Sequence, residues 1–303
     1  MDGIINVYKE AGFTSHDVVA KLRGICRQKK IGHTGTLDPQ ATGVLPVCLG
    51  SATRACEMLT DRTKEYVAEL LLGKITDTQD TTGTVLEERE VAVDEAQVRE
   101  VIGSFVGGYD QIPPMYSALK VNGKKLYELA RAGKEVERQA RHVDLPAIEI
   151  LEIRLPVVKF RVECSKGTYI RSLCADIGGK LGCGGTMQSL VRTRVGEFRL
   201  TDALTLTQLQ ELRDTGRLEE ALLPTDRIFA DFNAVHVEEK WRKLIDNGNA
   251  FYPGQTMEQT TYPVGEWVRV YREDDSFVGI YAYDGAKEWY KPVKIFPSNT
   301  ACK

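Results

Sequence analysis

A chain of 303 residues, 42% of them apolar and 27% charged, can bury a sizeable core in one large domain or a large and a small one. Its formal net charge of −3 excludes a uniformly basic nucleic-acid coat, and no apolar run is long enough for a membrane-spanning helix. Seven cysteines without a Cys-x-x-Cys pair, and four histidines without ligand spacing, exclude a disulfide framework and a zinc site; reduced thiols in a cytoplasmic protein are expected, with no metal, cofactor or membrane partner.

Ile4 to Tyr8 reads as a strand, with a turn at Lys9-Glu10-Ala11-Gly12. Thr14 or Ser15 then caps a helix that carries Val18, Val19, Leu22 and Ile25 on one face. From Gly32 to Gly50 four glycines and two prolines forbid a continuous helix, so the backbone turns repeatedly around one carboxylate, Asp38. Pro39 pushes Asp38 toward an extended conformation, and Val44 to Leu49 reads as a buried strand beneath the loop. A phosphate-cradling loop would need a Gly-Lys-Ser/Thr ending, which this stretch lacks. Ala52 to Leu59 reads as a short helix, Thr63 to Gly73 as a strand, Thr76 to Gly83 as a polar loop, and Asp94 to Phe105 as an acid-rich helix.

Residues 120 to 142 hold seven Lys/Arg (Lys120, Lys124, Lys125, Arg131, Lys134, Arg138 and Arg141) against three acids, while acid concentrates at 77 to 100 and 202 to 240. Separated patches permit an RNA-facing side on an acidic protein, and a basic helix from Lys124 to Arg131 is expected. Val157 to Cys164 is a strand that delivers a Gly167-Thr168-Tyr169 turn into a helix, Arg171 to Leu181. An arginine in a first turn opposes the helix dipole, so Arg171 needs a compensating anion. Thr205 to Arg213 is a helix ended by Gly216. Past a boundary near residue 228 the pattern changes to a helix at Trp241 to Ile245, a hairpin of Trp267 to Tyr271 with Phe277 to Tyr283, and a last strand at Pro292 to Phe296.

The stretch Gly32 to Gly50 resembles the signature of the TruB-type tRNA pseudouridine synthases. Gln111 to Lys120, Ser165 to Leu173 and Met187 to Gly196 resemble further segments of that family. Glu10 departs from it, standing where the family's Lys-Pro-x-Gly turn has proline. The resemblance implies an α+β fold: a mixed, mainly antiparallel sheet flanked by helices and loops (1–228, with an RNA-clamping insertion at about 120–145), then a small PUA-like β-barrel that binds RNA (229–303).

For function it implies a tRNA pseudouridine(55) synthase that isomerises a T-loop uridine, with a tRNA-folding role alongside catalysis. Its expected partner is the tRNA T-stem-loop, with no guide RNA, and a monomer is expected. Asp38 matches the catalytic acid, paired with Arg171 and Tyr169, while Tyr66 matches the active-site tyrosine of a Lys-x-Tyr strand. His33 is expected to fill the space a flipped base vacates, and Leu190 to lie under that base. Lys9, Lys120, Lys124, Lys125, Arg131 and Arg192 complete the expected substrate contacts. The flipped uracil must first leave its stack at a cost of roughly a few kcal/mol. One acid beside an arginine differs from the paired carboxylates of ordinary glycoside hydrolysis and suggests a carboxylate kept ionised. A tRNA-binding chaperone without chemistry is the alternative from another class; Asp38, Tyr66, Tyr169 and Arg171 standing together count against it.

Overall fold

Backbone groups of an extended chain need partners across a sheet, and alternating burial along each strand decides which face goes inward. In the computed structural model, which describes residues 1–121 and 123–297, strand β1 (Gly3–Lys9) is followed by helix α1 (Ser15–Ile25), capped by Thr14 and Asp17 in a reciprocal box. Next come β2 (Ile31–His33), β3 (Thr42–Leu49), a 3₁₀ turn (Gly50–Ala55) running into α2 (Cys56–Thr60), and β4 (Lys64–Leu72). Asp94 caps α3 (Glu95–Gly103), and α4 (Leu126–Arg131) lies in the basic segment. Strands β5 (Ala147–Arg154) and β6 (Val157–Cys164) lead to α5 (Ile170–Lys180), β7 (Gly185–Val195), β8 (Phe198–Arg199) and α6 (Leu206–Asp214). The chain closes with β9 (Asn233–Val237), α7 (Arg242–Asp246), β10 (Trp267–Arg272), β11 (Phe277–Asp284) and β12 (Trp289–Ile295).

Eight strands form one sheet in the order β1, β3, β7, β4, β6, β5, with β2 added to β3 and β8 to β7. All its pairings are antiparallel except β3 with β7, which run parallel for only two pairs, Thr42–Val191 and Gly43–Arg192. Gly43 sits at φ +105°, where a Cβ would lie 2.2 Å from the Arg192 carbonyl oxygen, so this close approach requires glycine. Farther along, β3 leaves β7 and takes β2 as its partner on the same side. The loop carrying Asp38 rises from this split in the sheet.

Alternation sorts the strand residues into separate cores. Ile5, Val7, Leu45, Val47 and Leu49 pack under α1 and α6, while Ile4, Val44 and Cys48 face the opposite way, against Phe229, Ile280 and Phe296. Tyr66, Ala68, Leu70 and Leu72 of β4 pack with Leu173 and Ile177 of α5. Among the described residues no helix is long and apolar enough to cross a membrane.

Two expectations change. The basic helix begins at Leu126, because Gly123 (φ +81°) turns the chain back and pairs Lys124–Lys125 with Lys120–Val121. No closed barrel forms at the C-terminal end among the described residues: its four strands make an open sheet, β9 to β12 in sequence order. The two edges, β9 and β12, are each met by a single bridge, Val237 with Thr256 and Tyr290 with Phe251, so no ladder joins them.

Candidate active site

Asp38 is held by what flanks it. Leu37 donates its N–H to the Ser15 hydroxyl at 2.9 Å, and the Pro39 carbonyl accepts from Gly12 N at 2.9 Å and Lys9 Nζ at 3.0 Å. Both neighbours are thus tied to the start of the chain, and the Asp38 carboxyl projects between them with its side chain 37% exposed. Arg171, 5% exposed, meets both oxygens: Nε lies 2.9 Å from Oδ2 and Nη2 3.2 Å from Oδ1. The remaining donors reach the Thr78 carbonyl (3.0 Å) and the Tyr116 carbonyl (2.8 Å), with Asp80 3.8 Å away. One guanidinium therefore joins three loops at the start of α5. Burial pushes the Asp38 carboxyl above the ordinary aspartate range; Arg171 pulls it down and Asp80 adds to the rise.

Around this pair, Tyr66 is buried on β4, beside β7 at Arg192, and it shares an apolar cluster with Leu37, Ala41 and Leu190. Burial raises its phenol and the Arg192 guanidinium opposes the rise. His33, half-buried at the end of β2, accepts from Gly35 N at Nδ1 (3.3 Å), and burial lowers its ring pKa, which favours neutral imidazole. Tyr169 is the residue preceding α5 and is half-buried; burial raises its phenol too. The structure therefore pairs Asp38 with Arg171, sets Tyr169 at the start of the helix that carries Arg171, and puts Tyr66 and Leu190 in one apolar cluster. Lys120, Lys124 and Arg131 are exposed on the insertion. Lys125 Nζ and the Arg131 guanidinium each lie 5.4 Å from the centre of the Tyr127 ring.

Lys9 and Arg192, expected among the substrate contacts, are both buried. Arg192 is 1% exposed and fills the split between β3 and β7, donating to the Val44 (2.7 Å) and Gly35 (3.2 Å) carbonyls. Lys9 is fully buried and donates to the carbonyls of Phe13 (2.6 Å), Glu10 and Pro39 (both 3.0 Å). Both cations donate to main-chain carbonyls, Lys9 in loops and Arg192 at β3 and the Asp38 loop. Burial lowers the Lys9 amine to about 8 from 10.5. Lys9→Met is expected to cost about 2–3 kcal/mol, because it leaves buried carbonyls without a donor. Since the folded state holds this proton less tightly than the unfolded chain, the deficit of the variant should widen as pH rises from about 8 to 10.5. Chemical denaturation across that range measures it.

Asp80, Thr78, Ser15 and Gln111 are not legible in the sequence as site residues. Asp80 lies in the polar loop Thr76 to Gly83, whose resemblance to the family assigns it no role, and Ser15 reads only as a helix cap. Among the described residues no cluster of three or more His, Cys, Asp or Glu could hold a metal ion.

This sheet, split by an acid-bearing loop whose acid is clamped by a buried arginine, has a fold found in solved structures. This fold matches a protein in "Structure of H/ACA RNP bound to a substrate RNA containing 2'-deoxyuridine" (TM-score 0.74, 27% identity, 98% of this chain and 86% of that one). It matches one in "Crystal Structure of a Cbf5-Nop10-Gar1 Complex" equally well (TM-score 0.74, 29% identity, 97% and 84%). The fold is that of a pseudouridine synthase. Residues 23–170 match the model for "TruB family pseudouridylate synthase (N terminal domain)" and 171–230 that for "tRNA pseudouridylate synthase B C-terminal domain". Relatives named "tRNA pseudouridine synthase B" from Lachnoclostridium phytofermentans (53% identical, 98% of this chain, 100% of that one) and Alkaliphilus oremlandii (49%, 97% of each) match nearly end to end. The chain belongs to the TruB family of pseudouridylate synthases.

Proposed function

We propose that this enzyme converts a T-loop uridine of tRNA, the position-55 uridine, to pseudouridine, acting alone as a monomer and without a guide RNA. The observation that carries this reading is the buried Arg171 gripping both oxygens of the half-open Asp38 carboxylate. In the reaction the bond from ribose C1′ to uracil N1 breaks, the base rotates, and a bond from C1′ to C5 forms. The C5 proton leaves, N1 gains one, and no oxidant or reductant is needed. Asp38, ionised, supplies the negative charge at the ribose–base junction. Leu190 and Tyr66 provide an apolar bed for the flipped base, where stacking on an aromatic ring typically contributes about 1–3 kcal/mol. The C5 proton passes to a neighbouring water, directly or through the Tyr66 hydroxyl, which gives up its own proton to that water as it receives this one. His33, kept neutral, fills the vacated stack without adding charge.

Residues 229–303 serve as a PUA-like RNA-binding unit in this reading, and the insertion at about 120–145 follows phosphates. Replacing Lys124, Lys125 and Arg131 together by alanine should leave turnover at saturating tRNA nearly intact. The slope of log affinity against log salt should fall by about one for each phosphate that the variant no longer neutralises. Binding titrations at several salt concentrations measure this. The enzyme reading itself is tested by incubating unmodified tRNA with the protein and mapping pseudouridine by carbodiimide-dependent primer-extension stops. Absence of a stop in the T-loop would overturn it.

A further inference from the structure

The helix that carries Arg171 begins without a cap of its own. Its N-cap position is Tyr169, whose side chain offers no acceptor to the first turn, and no acid follows there. The missing partner comes from the strand that leads into the insertion. Gln111, 1% exposed, lies on the strand Tyr109–Gln111, which pairs with Arg141–Val143 and forms the root from which the insertion grows. Its side-chain amide grips the backbone of Tyr169 at both ends: Oε1 accepts from Tyr169 N at 2.8 Å, and Nε2 donates to the Tyr169 carbonyl at 3.0 Å. Nε2 also lies 2.6 Å from the Tyr109 hydroxyl, which donates to Asp176 on the next turn of α5 at 2.9 Å. Five residues past Gln111, the Tyr116 carbonyl accepts from Arg171 itself. The leg of the insertion therefore touches the acid-holding helix at its start, its second turn and its arginine.

We infer that Gln111 is a positioning residue: by fixing the backbone of Tyr169 it sets where Arg171, and through it Asp38, stands relative to the root of the RNA-clamping insertion. The glutamine side chain substitutes for a strand partner and a helix cap at once. RNA that draws on the insertion then acts on the acid through two side-chain hydrogen bonds and one carbonyl. Tyr109 is subordinate, since Gln111 keeps both hydrogen bonds to Tyr169 without it. This inference rests on Asp38 being the acid of uridine isomerisation.

The test is steady-state and single-turnover kinetics on unmodified tRNA. Gln111→Ala should lower kcat by about 10–100-fold, the scale on which small displacements of a reacting group act, with tRNA Kd within about twofold. The acidic limb of its kcat profile should move to higher pH, because a slackened Arg171 depresses the Asp38 carboxyl less. Tyr109→Phe should stay within about threefold of the parent, and the Gln111→Ala loss should shrink to less than about threefold in an Arg171→Lys background, as coupled sites require. Should Gln111→Ala fail to fold, Gln111→Glu takes its place: it keeps the acceptor for Tyr169 N, loses the donor, and should show a smaller loss with the same pH displacement. An unchanged kcat and pH profile, or an equal loss with and without Arg171, overturns the inference. Wild-type protein that makes no pseudouridine would instead overturn the functional reading.

Discussion

Asp38→Asn is expected to abolish pseudouridine formation, lowering the single-turnover rate by about 10⁴-fold or more, while tRNA affinity stays within a few-fold. The amide matches the carboxylate in shape, and its oxygen still accepts from Arg171, so the loop tied through Leu37 and Pro39 stays in place. What it lacks is the charge, and its NH₂ meets a guanidinium donor where the carboxylate accepted one. Carbodiimide-dependent stops report the chemistry and filter retention the affinity; a residual normal rate would remove Asp38 from the mechanism. For the parent enzyme the sign of the pH dependence follows from burial. Asp38 is raised above the usual aspartate range and acts when ionised, so the rate should fall with acidification at a higher pH than an exposed aspartate would dictate.

Arg171→Met should remove both activity and stability. It strands Asp38 and Asp80 without their cation and leaves the Thr78 and Tyr116 carbonyls without donors. Breaking a buried pair by removing one partner typically costs about 3–5 kcal/mol; the lower end applies here, because water reaches Asp38. In a chain of this size that should lower Tm by about 5 °C, measurable by calorimetry. The deficit should shrink as pH falls, since protonating Asp38 removes the uncompensated charge. Arg171→Met combined with Asp38→Asn should be less damaged than Arg171→Met alone, the non-additivity expected of partners that touch. Equal stability of Arg171→Met and the parent would mean that the three loops are held by something other than this guanidinium.

The C-terminal part shows how far pattern alone reaches. The hairpin of β10 and β11 is legible from its apolar runs and the turn at Asp274-Asp275-Ser276, yet β9 is not, because its partner β10 runs parallel to it and lies some thirty residues away. The basic character of residues 120 to 142 is plain in the sequence, but the start of their helix is not, since a single positive φ at Gly123 outweighs helical periodicity over so short a stretch.

Local chemistry alone determined the caps at Thr14, Asp94 and Thr205, the buried strands, the turn-rich loop around one acid, and an arginine placed where a helix dipole opposes it. These follow from neighbours a few residues apart, and side-chain type settles them. Only the tertiary structure decided which cations are open to RNA and which serve the fold. Lys9 and Arg192 look like surface charges in sequence, but folding buries both: Arg192 donates to the β3 carbonyl of Val44, and Lys9 ties the loop carbonyls of Glu10, Phe13 and Pro39 together. Gln111 carries no sequence mark of its role, because that role depends on a helix start 58 residues away whose backbone it reaches. Hydrogen bonds between distant segments are chosen by packing, and packing is a property of the whole chain.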